Sequence, residues 1–140
     1  MLRFLILFTV FGALSCATQT PSDPPAPAPP PELTGSWIVT HLGEQEVIEG
    51  SQCQLEFHAD GKLSGNASVN RVAGSFTLEG DALTFSPLAT TKRMGPVPLM
   101  KQEQALLDAL ARTARAARHD DTLTLLDTDG RALLSARTSD

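Results

Sequence analysis

Three times along this chain an alternating apolar run meets a short turn carrying Asp and Gly, then resumes on the far side. Cys53, Leu55 and Phe57 alternate with Gln54, Glu56 and His58, turn at Asp60 and Gly61, and continue through Leu63, Gly65 and Ala67. Residues 74–78 and 82–85 flank Glu79-Gly80-Asp81, and Leu123 and Leu125 lead through Asp127-Thr128-Asp129-Gly130 into residues 132–136. Alternation with period two buries one face of a strand, and an Asp-Gly pair tolerates the positive φ of a tight reversal. The pattern predicts three β-hairpins. A further strand is expected at residues 37–42, with Trp37, the single tryptophan, as a core anchor. A short strand is expected at Val47-Ile48. About 7–8 antiparallel strands must hide their edges, so the expected form is a strongly curled sheet or a partly open barrel.

One segment breaks the β rhythm. Across residues 99–118, Leu99, Leu106, Leu107, Leu110, Ala114 and Ala117 recur at helical spacing, and Pro98 suits a helix start. Arg112, Arg115 and Arg118 follow every three residues, which reads as a solvated face complementing the helix dipole. The expected class is therefore α+β, mostly antiparallel, with one helix on the sheet. Residues 65–103 join a tight loop, a hairpin, a crossing broken by Pro and Gly, and this helix, so they set the topology.

Not all of the chain belongs to that domain. Arg3 and an apolar run of about eleven residues form a leader, too short to span a bilayer as a helix. Ala13-Leu14-Ser15-Cys16 follows and resembles a bacterial lipobox, which implies cleavage before Cys16, lipid on its sulfur and an acylated amine. Residues 1–15 are thus expected to be a signal peptide. Residues 16–32 are expected to be a lipidated cysteine plus tether, and 33–138 the folded domain. Ala17 is not Asp, and by the same resemblance the destination is the outer membrane, facing the periplasm. The tether contains seven prolines between Pro21 and Glu32. Proline lacks an N–H and fixes φ, so this segment is expected as a polyproline II stalk reaching on the order of 45 Å.

Loss of Arg3 leaves 10 basic residues against 16 acidic ones, a formal charge of −6. Such a balance argues against a nucleic-acid partner. With Cys16 lipidated, Cys53 is the remaining thiol, expected as a small buried hydrophobe in its strand. His41, His58 and His119 stand far apart, with no His or Cys at ligand spacing. No nucleophile elbow or phosphate-binding glycine loop occurs. Neither metal nor cofactor nor catalysis is therefore expected. Asn66 and Asn70 are expected to close turns through their side chains. Glu103 is expected as an acidic group favourable to the helix N-terminus.

The order of several short motifs resembles the META domain, the family of HslJ-type heat-inducible outer-membrane lipoproteins. They run Leu33-x-Gly35-x-Trp37, Phe57-x-x-x-Gly61, Gly65, then Asn70-Arg71-x-x-Gly74-x-Phe76, Leu83 and Phe85. Leu88-Ala89-Thr90-Thr91, Pro98-Leu99-Met100 and Gln102-Glu103 complete the series. Many relatives carry a Gly-Cys-Asn before the loop and a Met-Ala-Cys after the Leu-Ala-x-Thr segment, consistent with a disulfide between the two cysteines. Here those positions are Val69 and Gly95, both lost together. The resemblance also marks Asn66, Asn70, Arg71, Gly74, Thr91 and Glu103 as a motif loop, structural or binding.

The expected role is that of a non-enzymatic envelope lipoprotein in stress response or envelope maintenance. It would be a monomer, attached to the membrane through lipid on Cys16 and open to an envelope protein partner. The alternative is a binding module, either an inhibitor of a peptidase or lysozyme or a carrier of a small apolar ligand.

Overall fold

The structure, a computed structural model, describes residues 32–139. The leader, Cys16 and the proline-rich segment lie outside those residues. The strands are β1 (Gly35–Leu42), β2 (Gln45–Glu46), β3 (Cys53–Phe57), β4 (Lys62–Ala67), β5 (Arg71–Glu79), β6 (Ala82–Phe85) and β7 (Ala89–Thr90). Helix α1 (Val97–Arg112) follows, then β8 (Arg115–His119), β9 (Thr122–Leu126) and β10 (Ala132–Thr138).

Eight of these strands form a ring in the order β1-β3-β4-β5-β6-β8-β9-β10, and β10 pairs back onto β1 from Trp37↔Thr138 to Leu42↔Leu134. All pairings are antiparallel, with β2 added at the end of β1 and β7 beside β5. The barrel closes fully, beyond the partly open form expected, because β1 bonds β3 along one side and β10 along the other. Closure removes the edges that would otherwise recruit another strand. Trp37, Leu55, Phe57, Leu63, Leu83, Leu123 and Leu125 point inward at 0–1 % exposure and fill the interior. Phe76 meets the edge of Phe57 at 5.1 Å between ring centroids.

Helix α1 touches β1, β4, β6 and β10, strands spread around the whole ring. It therefore lies across one mouth of the barrel, lowering Leu106 and Leu110 into the core. The opposite mouth is closed by Leu33, whose carbonyl accepts a 2.7 Å hydrogen bond from Trp37 Nε1. Arg118 lies over the Trp37 ring at 5.1 Å and donates to the Glu32 carbonyl at 2.8 Å.

The helix is shorter than its periodicity predicts. Thr113 turns extended, at φ −62° and ψ 130°, and its hydroxyl donates to the Ala109 carbonyl at 2.8 Å. Arg115 and Arg118 consequently lie on β8, not on a helical face with Arg112. The ring needs a strand between β6 and β9, and that tertiary demand overrides the helix propensity of alanine and arginine. The short second strand also falls two residues earlier than expected, at Gln45–Glu46, while Val47 N–H bonds to the Thr40 carbonyl in the turn beyond it.

Candidate functional site

Gln102 and Glu103 are adjacent in the second turn of α1, and both are buried. Helical geometry sends neighbouring side chains about 100° apart, so the two reach different loops of the mouth that α1 covers. Gln102 Oε1 accepts from Ile48 N–H at 2.7 Å, and its Nε2 donates to the hydroxyls of Ser51 and Ser68 at 2.8 and 2.7 Å. Glu103 turns to the β4–β5 loop. Its Oε2 accepts from the N–H groups of Asn70 and Val69 at 2.8 and 3.3 Å, and its Oε1 from Asn70 Nδ2 at 2.7 Å. No cation contacts this carboxylate among the described residues; three N–H donors meet its charge instead.

Asn70 relays the grip onward. Its Oδ1 accepts from Arg93 N–H at 2.6 Å and from the Thr91 hydroxyl at 3.0 Å, while Nδ2 also donates to the Arg93 carbonyl at 3.2 Å. Thr91 Oγ1 in turn accepts from Arg71 N–H at 3.0 Å. One buried amide thus ties the helix, the β4–β5 loop and the crossing before α1 into one network. No buried polar side-chain atom among the described residues lacks a partner.

Of the residues singled out from sequence, Asn70, Thr91, Glu103 and the backbone of Arg71 come together here. Asn66 does not join them. Its Oδ1 accepts from Ser68 N–H at 3.2 Å and closes its own turn, where Ser68 adopts φ 100°. Gly74 lies further along β5, where a Cβ would stand 2.5 Å from Leu88 Cδ2, so the glycine makes room for Leu88. Glu103 is the seventh residue of α1, not a first-turn group facing the dipole. Sequence reasoning missed the part played by Gln102, whose partners lie 34 to 54 residues away.

Val69 and Gly95 also meet. A Cβ built on Gly95 would stand 3.4 Å from that of Val69, and 2.7 and 2.9 Å from its two methyls. The isopropyl group occupies the space over the glycine. Cys53 is buried nearby on β3, its thiol pushed up to about 11 by loss of solvent and drawn partly back by a hydrogen bond with Ser68. A concavity of about 870 Å³ lies between β1 and residues 46–52, with Val39 and Cys53 in its lining.

The profile of the META domain family matches residues 31–140. The chain belongs to the META domain family. Solved structures share this fold. A protein from Burkholderia xenovorans, determined by NMR, is 24% identical with a TM-score of 0.64, covering 86% of this chain and 99% of its own. Another NMR structure is 20% identical, with a TM-score of 0.63 over 77% of this chain and 92% of that one. A crystal structure of a DUF4847 family protein from Bacteroides vulgatus is 12% identical, with a TM-score of 0.59 over 76% and 94%. At these identities the likeness is one of fold. No curated protein matches the chain.

Within this META domain the network around Glu103 is a clamp. Its donors and acceptors are matched to one another, and hydrogen bonds to a charged group contribute about 1.5–3 kcal/mol each in general. It holds α1 over the mouth and fixes the path of residues 91–96.

Proposed function

We propose that this protein is a non-enzymatic lipoprotein of the bacterial cell envelope, held at the outer membrane by lipid on Cys16 and facing the periplasm, with a stress-related or envelope-maintenance role. The observation that carries the non-enzymatic reading is the clamp itself. Its buried polar groups are engaged with each other, which supports a structural part for these motif residues over a catalytic one. The envelope address rests on Arg3, the apolar run and Cys16, followed by the proline-rich tether. No helix among the described residues is long and apolar enough to cross a membrane; in this reading, attachment falls to the lipid on Cys16. Cys16→Ala in the full chain should shift the protein from the membrane to the soluble fraction, or block its processing. Unchanged association together with unchanged gel mobility refutes the anchor.

A binding role, the second reading, is favoured by one observation. Residues 92–94 and Pro96 are exposed, yet the segment is held from beneath by Asn70, the form of a preorganised recognition loop. Of the two binding roles, that of an apolar carrier loses its space to the side chains filling the barrel, whereas inhibition of a peptidase or lysozyme needs only a surface. Adding the domain at large molar excess to lysozyme and to periplasmic peptidases tests this; undiminished turnover throughout removes the inhibitor reading.

A further inference from the structure

At the capped mouth, residues 92–97 lead into α1, all exposed but Gly95, which is half-buried under Val69. Met94 is 92% exposed and Val97 66%, well beyond the other exposed large apolar groups of the domain, Ile38 and Ile48. The segment is nonetheless fixed, because Asn70 grips both the N–H and the carbonyl of Arg93 and α1 begins at Val97. Lys92 and Arg93 directly precede Met94, and neither enters an ion pair among the described residues. Arg71, its backbone bridged to Thr91, exposes a third cation on the same rim. The chain as a whole is acidic, at −5, so positive charge gathered around an open methionine is a local departure from its surface.

We propose that residues 92–97 are a docking peg for another protein of the envelope. Met94 and Val97 enter an apolar pocket whose rim carries Asp and Glu carboxylates that meet Arg71, Lys92 and Arg93. Methionine suits the part, since its unbranched thioether adapts to the shape of a pocket. Rim charges of opposite sign steer the encounter and fix its register. The choice of a protein over a bilayer rests on the lipoprotein reading and on direction. The chain enters the barrel at Leu33, at the mouth opposite α1, so a tether from Cys16 would join the domain at the end far from the peg.

The test places a photoreactive benzoylphenylalanine at Met94, and separately at Asp121 on the opposite mouth, in the full lipidated chain within living cells. Crosslinked peptides are then mapped by mass spectrometry. The expected result is a crosslink from position 94, absent from 121, to a defined segment of an envelope protein bordered by acidic residues. Lys92→Glu with Arg93→Glu should lower its yield roughly tenfold, while circular dichroism shows the fold intact. Crosslinks to lipid, to a segment without acidic residues, equally from both positions, or none at all overturn the proposal, as does a yield unmoved by charge reversal. Fractionation of the same cells reports the Cys16 anchor independently, so a failed peg and a failed anchor are distinguished.

Discussion

Val69 covers Gly95 with both its methyls, and the two Cβ positions would be 3.4 Å apart. That separation is close to the roughly 3.8 Å of a disulfide, and Gly95 does not need a positive φ, so cysteine fits its backbone. Val69→Cys with Gly95→Cys should oxidise spontaneously and stabilise the domain by about 2–4 kcal/mol over its reduced form. Thiol titration and denaturant midpoints with and without reductant check it; two persistent free thiols beyond Cys53 would show the crossing to run elsewhere. Gly95→Ala alone should cost about 1–3 kcal/mol by crowding Val69, and Val69→Ala should relieve much of that cost.

Glu103 fastens the same crossing by polar means. Glu103→Ala strands three N–H donors inside the capped mouth and should cost at least about 3 kcal/mol. Glu103→Gln, which keeps the shape and one acceptor, should fall in between. A double-mutant cycle with Asn70→Ala should return a coupling of about 1–3 kcal/mol. Additive effects in urea unfolding would disprove the clamp.

Burial of Cys53 gives the domain an alkaline weakness. Well below pH 9 the thiol keeps its proton whether the chain is folded or not. Through pH 9 the unfolded chain ionises, while the folded one resists until about 11. Stability should therefore fall through that window, by about 2–3 kcal/mol in all. Comparing unfolding free energies of the parent and Cys53→Ala between pH 8 and pH 11 isolates this loss; parallel curves would refute it.

Asp127 makes the opposite prediction at the acid end. It closes the β9–β10 turn, its Oδ1 accepting from the N–H groups of Asp129 and Arg131, each at 2.9 Å. The Arg131 amide, above all, holds the carboxyl below its usual range, with Asp129 N–H and the Arg131 and Arg112 charges adding to it against a smaller opposing effect of burial. The contribution to stability is present above the ordinary carboxylate range and is lost as pH falls through the lowered value. Asp127→Asn should remove that part of the acid slope in thermal melts between pH 5 and pH 2. Superimposed slopes would refute it.

The hairpins were legible because each carries both of its signals, alternation in the strands and Asp with Gly in the turn. Strand β8 carries neither. Ala116 is its one buried side chain, and Arg115, Ala117, Arg118 and His119 are exposed, so no alternation of apolar size marks it, whereas its alanines and arginines favour a helix. Its place is set by the gap between β6 and β9, a fact of closure. The clamp was legible only as a set of motif residues, because Glu103 and Asn70 are 33 positions apart and nothing local to either says that they meet.

The seam between β1 and β10 joins strands from the two extremes of the folded domain. A chain emerging from a ribosome or a translocation channel with its amino end first cannot complete the ring until the last strand has followed, since β1 until then has an open flank. Non-local pairing of this kind is slow. Under the export proposed above, that delay would be useful. The domain would stay threadable for as long as part of it remained inside, and lock only once the whole of it had arrived.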